Sequence, residues 1–247
     1  MNKETLLPHF AKVPMLSAMP AATQMKLALN AEERNYRRRQ MVQFADQPGD
    51  FVYLLCSGLV KTSRVSPAGR EVIVGLISPD QIFGETGLSQ ENLPYEINAE
   101  TMDHSMIAVF RRNDILAGLD ETPAAWAALL KIISNRRSRE MQALADLVFL
   151  DVPKRLAKLL IELSESQGYR ASKNRQGIKK FTHQELADMI GSTRETTTLI
   201  LNDFKRMDAI EFVGRCIVIR NEATLEQILS GHLNTSSTNP RTQAKAA

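Results

Sequence analysis

The chain has 247 residues, of which 43% are hydrophobic and 24% are charged, and its formal net charge is +3. This composition is typical of a soluble globular protein, and the length fits two domains better than one. No stretch approaches the roughly 18 uninterrupted apolar residues of a membrane helix, and the N-terminus lacks the pattern of an export signal, so we expect a cytoplasmic protein. Two cysteines, Cys56 and Cys216, are too few for a disulfide framework or a four-cysteine cluster, and we expect both to be plain thiols.

Short apolar runs separated by turn residues occupy residues 38–110. The runs include FVYLLCSG, LVKTSRV and REVIVGLI, and Pro, Gly, Asp and Ser stand between them. This spacing is typical of an antiparallel β roll or barrel. Residues 67–69 should form a hairpin turn between two of the strands, and residues 8–33 should form short helices that pack against the sheet.

Apolar residues from about 123 to 147 recur mostly at steps of three and four, which predicts one long helix. The apolar stripe extends beyond what the roll needs, so we expect it to form the seam of a homodimer. The seam residues would be Leu129, Leu130, Ile133, Met141 and Leu144. The opposite side of the helix would carry Arg136, Arg137, Arg139 and Glu140. The alternative is a helix that lies wholly on its own domain.

A second domain begins after Asp151 and Pro153, because proline fits at the start of a helix and not inside one. Residues 155–164 have the apolar period of a helix. The polar stretch that follows, SESQGYRASKNRQG, predicts a loop.

The segment FTHQELADMIGSTRETTTLILNDFKRM contains two hydroxyl residues that each precede a glutamate by three positions. These pairs are Thr182 with Glu185 and Ser192 with Glu195, and both fit a capping box. Two short helices joined by a tight turn should result, which is a helix-turn-helix. Beyond it, IEFVGRCIVI predicts two short strands around residues 213–215, which would form a β wing.

The second of these helices begins with side chains that suit nucleic acid. An arginine can hold guanine through two hydrogen bonds, a glutamate can accept from cytosine, and hydroxyls can reach phosphates or bases. Residues 151–220 carry 13 Lys and Arg against 9 Asp and Glu, a net of +4, whereas residues 1–150 carry 16 against 17, a net of −1. The basic excess therefore lies where attraction to phosphates would be useful, and we expect this helix to enter the major groove of double-stranded DNA.

The motif QELADMIGSTRET with the following wing resembles the signature of the Crp/Fnr transcription regulators. The segment FVYLLCSGLVKTSRVSPAGREVIVGLISPDQIFGETGL is similar to the cyclic-nucleotide-binding β roll of that family, and FLDVPKRLAKLL is similar to its hinge. The resemblance covers most of the chain. It implies an α+β fold with an N-terminal antiparallel β roll of the jelly-roll type, a long dimerisation helix and a C-terminal winged helix-turn-helix. The implied parts are residues 1–120, 121–150 and 151–233, followed by a disordered tail at 234–247.

The resemblance also implies which residues contact DNA. The base-contacting residues would be Arg194, Glu195 and Thr198, and the residues on the DNA backbone would be Thr182, Ser192, Thr193 and Thr196. Leu199 stands where a cyclic-AMP-binding member of the family has another base-contacting arginine, so the preferred half-site should differ. A homodimer would contact a palindrome with half-sites about one helical turn, ~34–36 Å, apart, and RNA polymerase would be a further partner.

The family's phosphate-binding cassette begins with Phe-Gly-Glu, present here as Phe83, Gly84 and Glu85. An arginine and a small hydroxyl residue should follow, but Leu93 and Pro94 stand at those positions, and the segment between residues 70 and 111 contains no Lys or Arg. Burying a cyclic phosphate without a nearby cation is costly, so cyclic AMP is disfavoured.

The long helix departs from the family as well. Glu140 and Met141 stand where a Thr-Ser pair would meet the adenine base. The possible effector pocket would comprise Phe83, Gly84, Glu85, Thr86, Glu140 and Met141, although Glu85 could equally cap a short helix of the roll. The effector is then an unidentified small molecule, an atypical nucleotide or none.

Other chemistries find little support. The N-terminal cysteine cluster of an iron–sulfur oxygen sensor is missing, and the scattered residues His9, His104, His183 and His232 do not indicate haem. An enzyme would need a nucleophile with a base, or a metal-ligand cluster, and the sequence contains neither pattern, so we expect no catalytic residue and no metal. The remaining alternatives are a cyclic-nucleotide-dependent regulator with an altered cassette and an adaptor that binds no DNA.

Overall fold

The computed structural model describes residues 3–89, 93–172, 175–178, 181–214, 216–233 and 235, in two compact units that divide between Glu140 and Met141. The tail predicted at 234–247 lies outside the described residues except for residue 235, and so does Arg215 of the predicted wing turn. Among the described helices, none is long and apolar enough to cross a bilayer.

Unit 1 is the predicted β roll, preceded and followed by helices. The elements are a 3-10 turn (Lys3–Leu6), α1 (Leu7–Phe10), α2 (Pro14–Ser17), α3 (Ala21–Asn30), β1 (Glu32–Tyr36), β2 (Met41–Gln43), β3 (Phe51–Ser57), β4 (Val60–Val65), β5 (Glu71–Ile77), β6 (Gln81–Phe83), a second 3-10 turn (Glu85–Leu88), β7 (Asn98–Thr101), β8 (Ser105–Arg111), α4 (Arg112–Asp120) and the start of α5 (Pro123–Phe149).

The strands form two antiparallel sheets, in the orders β1-β8-β3-β6 and β2-β7-β4-β5. The hairpin turn predicted at 67–69 is confirmed, since β4 pairs with β5 and Ser66 N donates to Arg70 O at 2.9 Å. Strand β1 was not predicted. Its sequence, EERNY, has no apolar alternation, and it forms at a sheet edge by pairing with β8.

The long helix is confirmed as α5, and it contributes to the core of unit 1 through Ala125 and Leu129. Because Leu129 is only 2% exposed, the prediction that it lies on a dimer seam is wrong. Successive side chains of a helix point about 100° apart. Leu129 therefore packs into the roll while its neighbour Leu130 remains 64% exposed. The other predicted seam residues, Ile133, Met141 and Leu144, are also exposed.

Unit 2 contains the end of α5 and a small domain. Its elements are α6 (Val152–Gln167), β9 (Gly168–Ser172), β10 (Arg175–Ile178), α7 (His183–Ile190), α8 (Arg194–Arg206), β11 (Ile210–Val213), β12 (Cys216–Ile219) and α9 (Glu222–Leu229). Helix α6 begins directly after Asp151, whose Oδ1 accepts from Lys154 N at 3.1 Å.

The predicted wing is confirmed as the pair β11 and β12, but it belongs to a larger sheet with the order β11-β12-β10-β9. The loop predicted for SESQGYRASKNRQG is therefore wrong over β9 and β10. These strands form because β10 pairs with β12 and buries Ile178, a contact between distant segments that the local polar sequence does not signal.

Candidate nucleic-acid interface and effector cassette

The first helix of the helix-turn-helix begins with a complete capping box. Thr182 Oγ1 accepts from Glu185 N at 3.1 Å, and Thr182 N donates to Glu185 Oε2 at 2.7 Å. This prediction is confirmed. The helix ends at Gly191, whose φ of 62° is left-handed, a conformation that strongly favours glycine.

The second helix begins one residue later than the sequence predicted. Ser192 N donates to Ala187 O at 2.9 Å, so Ser192 belongs to the turn that closes α7. Thr193 is the N-cap instead, and its Oγ1 accepts from Thr196 N at 3.2 Å. The capping box of Ser192 with Glu195 is thus wrong, and Glu195 is not engaged at the cap.

The two faces of α8 have opposite environments. Thr197, Ile200, Leu201 and Phe204 are buried within unit 2. Arg194 and Glu195 are exposed, and neither side chain forms a hydrogen bond or ion pair with another residue that the structure describes. The first turn of α8 therefore presents a guanidinium and a carboxylate whose hydrogen-bonding groups are available to a ligand.

Thr198 lies on the same helix but its hydroxyl is already held by the protein. Its Oγ1 donates to Arg194 O at 2.8 Å and lies 2.8 Å from His183 Nδ1. A base contact by Thr198 stays a prediction, and a base would have to donate to its remaining acceptor site or displace one of these partners.

His183 is a residue that sequence reasoning missed. Its ring contacts Thr198 of α8 and lies 6.1 Å from the Phe212 ring of β11, so it joins both helices of the motif to the wing. Burial, followed by the nearby charge of Arg194, lowers the pKa of His183 below its ordinary value. Its place at the first position of α7, directly after the capping Thr182, was the available signal.

The cassette of unit 1 is built from buried residues. The ring of Phe83 stacks on Tyr53 with 4.9 Å between centroids. Gly84 has a φ of 79°, and an added Cβ would lie 2.9 Å from Tyr53 Cδ2, so this position also requires glycine. Thr86 is half-buried in the turn that follows.

Glu85 is paired by the chain itself. Its side chain is 6% exposed, and its Oε1 accepts from Arg136 Nη1 of α5. Arg136 Nη2 donates to Ile82 O at 2.9 Å, which fixes the guanidinium against the end of β6. Glu85 Oε2 has no hydrogen-bond partner among the described residues.

Arg136 is a cation from outside the cassette's own sequence, and it pairs with the cassette carboxylate. Leu93 and Pro94 carry no charge, and Leu93 O accepts from Gly49 N at 3.0 Å in a backbone contact. Sequence reasoning had placed Arg136 on the outer side of the helix, because an arginine among charged neighbours gives no sign of a buried partner far along the chain. Glu140 and Met141, which were predicted to line the pocket, are exposed on α5.

The environment of the Cys56 thiol disfavours reactivity. Cys56 belongs to the apolar core of unit 1, as predicted, and burial raises its pKa to about 11, which disfavours the reactive thiolate. Cys216 is half-buried on β12.

Comparison with known protein families matches two separate parts of the chain. Residues 33–122 match the cyclic nucleotide-binding domain, and residues 154–228 match the Crp-like helix-turn-helix domain. The chain belongs to the Crp/Fnr family. This Crp/Fnr protein is accordingly a DNA-binding transcription regulator, as the sequence predicted, and the alternative of an adaptor that binds no DNA is set aside.

Several curated regulators are similar to this Crp/Fnr chain. A CRP-like cAMP-activated global transcriptional regulator of Mycobacterium tuberculosis is 29% identical over 191 residues, which are 77% of this chain and 85% of that protein. The global nitrogen regulator of Synechocystis is 29% identical over 195 residues, 78% of this chain and 86% of that protein.

Solved structures support the fold. FixK2 from Bradyrhizobium japonicum has a TM-score of 0.70 at 21% identity, covering 80% of this chain and 96% of that one. The c-di-GMP responsive regulator CLP of Xanthomonas campestris has a TM-score of 0.70 at 23% identity, covering 81% and 99%. The names of these similar proteins mention different signals, cAMP for the Mycobacterium regulator and c-di-GMP for CLP.

Proposed function

We propose that this Crp/Fnr regulator acts as a homodimer that binds a palindromic DNA site and does not use cyclic AMP. The observation that supports DNA recognition most strongly is the pair Arg194 and Glu195, exposed and unpaired among the described residues at the start of α8. Arginine binds guanine O6 and N7, and glutamate accepts from cytosine N4.

The backbone of the DNA would be held by residues around the two helix starts. Thr182 and Thr193 are exposed at the N-caps of α7 and α8, where the first-turn amides favour phosphate. Ser192 and Thr196 lie beside them and are half-buried. Activation or repression would follow from the position of the site relative to a promoter, with RNA polymerase as a partner. Since the proposed ligand is chromosomal DNA and the similar regulators are bacterial, we propose that the protein is located in the cytoplasm.

The homodimer rests on the exposed apolar side chains of α5. Leu130, Ile133, Met141 and Leu144 recur along one helix and remain in contact with water in the single chain, which is costly for large apolar groups. A second copy of the same helix would cover them in a two-fold arrangement.

Sedimentation velocity tests the dimer. We expect the wild type to sediment as a dimer and Leu144→Glu as a monomer with weakened affinity for a palindrome. Asn135→Glu, an equally charged change at an exposed site of the same helix away from the apolar stripe, should remain dimeric. A monomeric wild type at the concentrations that saturate DNA would rule the dimer out.

The proposal on the effector rests on the cassette. The Glu85 carboxylate, which would hold a ribose hydroxyl, is already paired with Arg136. Leu93 and Pro94 carry no charge and cannot neutralise a phosphate. The alternative, a cyclic-nucleotide-dependent regulator, gains support from the cAMP-activated relative and from the unpartnered Glu85 Oε2. Isothermal titration of the wild type with cyclic AMP and with cyclic di-GMP separates the two. We expect no heat of binding with cyclic AMP, and saturable binding that Glu85→Gln abolishes would establish the alternative.

A further inference from the structure

Leu199 is a large apolar residue on the outer face of α8, and it is 61% exposed. It follows Glu195 by four residues, so the two side chains lie one helical turn apart on the same face. The adjacent Ile200 and Leu201 are buried in the helix-turn-helix, which fixes the rotation of α8 and prevents Leu199 from turning inward.

We propose that Leu199 contacts the C5-methyl group of a thymine in the major groove and thereby selects thymine at one position of each half-site. Leucine has no donor or acceptor, so it cannot bind the polar edges of the other bases. Among the groups that base pairs present in the major groove, the thymine methyl is the apolar one. This inference rests on the proposed function, in which the start of α8 enters that groove.

The geometry of the helix gives the position of this thymine. Four residues of an α-helix advance by about 6 Å. Successive base pairs are about 3.4 Å apart along the duplex. The thymine contacted by Leu199 therefore lies one or two base pairs from the base pair contacted by Glu195.

The test replaces the methyl group and the leucine in turn. A palindromic site is first obtained by selection from a random duplex pool with the wild-type dimer. Deoxyuridine, which keeps every polar edge of thymine and lacks the methyl, is then substituted at each thymine of the half-site. For the wild type we expect about a fourfold loss of affinity at one thymine, the amount for removing one buried methyl group from an apolar contact.

Variants assign that effect to Leu199. Leu199→Ala should bind the thymine and deoxyuridine sites equally, while its melting temperature stays near that of the wild type because alanine favours an exposed helix position. Glu195→Ala is the matched control on the same face, one turn away. It should alter the preference at its own base pair and retain the fourfold penalty for deoxyuridine.

The outcomes separate this inference from the function on which it rests. If a palindrome is selected but no thymine is sensitive to loss of its methyl, or if Leu199→Ala keeps the same sensitivity, the role of Leu199 is wrong and the DNA-binding function stands. If no sequence is enriched and Arg194→Ala has no effect, both the function and the inference are overturned.

Discussion

The start of α8 and the cassette turn Glu85–Leu88 each carry a glutamate in the first turn of a helical segment, in opposite environments. Glu195 is exposed and has no partner among the described residues. Glu85 is buried and paired with Arg136. A carboxylate in water is available to a ligand at little cost, whereas a buried one must first exchange a partner, so the same residue type indicates recognition in one unit and internal structure in the other.

The largest effect should come from breaking the buried pair. Arg136→Ala leaves the Glu85 carboxylate buried without its cation, and we expect the free energy of unfolding of unit 1 to fall by about 3 kcal/mol, the low end for a buried pair because Arg136 is partly exposed. Urea denaturation measures this loss. Arg139→Ala, at an exposed position of α5 on the side opposite the apolar stripe, is the control and should change the stability little. Equal stability of the two variants would show that the pair does not hold the cassette.

The next largest effect concerns the affinity for DNA and the exposed residue Arg194 at the start of α8. Arg194→Ala should weaken binding to the selected palindrome by about 1–3 kcal/mol per site, with relaxed preference at one base position of each half-site. Fluorescence anisotropy with the palindrome, with base-substituted palindromes and with random duplex measures the affinity and the base preference. An equal loss on random DNA would mean that Arg194 contacts phosphate and not a base.

A smaller effect should distinguish the two candidate caps of α8. Thr193→Ala removes the side chain that accepts from Thr196 N, and we expect the free energy of unfolding of unit 2 to fall by about 1 kcal/mol. Ser192→Ala should have almost no effect, since Ser192 contributes to the turn through its backbone. If thermal denaturation showed the reverse order, the helix would begin at Ser192 as the sequence alone suggested.

The smallest effect should be a pH dependence from His183. Its pKa is lowered in the folded protein, first by burial and then by Arg194, so between the ordinary value near 6.5 and the lowered value the unfolded chain binds more protons than the folded one. The stability of unit 2 should therefore fall as the pH decreases below about 6.5. The difference between the wild type and His183→Gln, measured by urea denaturation from pH 5 to 7.5, isolates this contribution. A difference independent of pH would exclude it.

The parts of the fold that sequence could predict are those determined by local patterns. The period of α5, the turn at 67–69 and the capping box of Thr182 all depend on residues a few positions apart. Strands β1, β9 and β10 could not be predicted, because their polar sequences become strands only by pairing with distant segments.

The same distinction applies to the sites. Arg194 and Glu195 could be identified because their function depends on a short motif and on exposure. Arg136 could not, since its role depends on a contact with Glu85, 51 positions away in the chain. Leu129 was misassigned for a related reason: apolar periodicity identifies a buried face but not whether the chain itself or a partner covers it.

The central claim is that the start of α8 is free to bind DNA while the cassette carboxylate is paired within the chain. The most direct test is selection of bound sequences from a random duplex pool by the purified, ligand-free protein, repeated with cyclic AMP. We predict enrichment of one palindrome without nucleotide, unchanged when cyclic AMP is added, and with the preference at one base position of each half-site relaxed in Arg194→Ala. Enrichment only in the presence of cyclic AMP would contradict this, because it would require the cassette to accept the nucleotide despite the pair between Glu85 and Arg136.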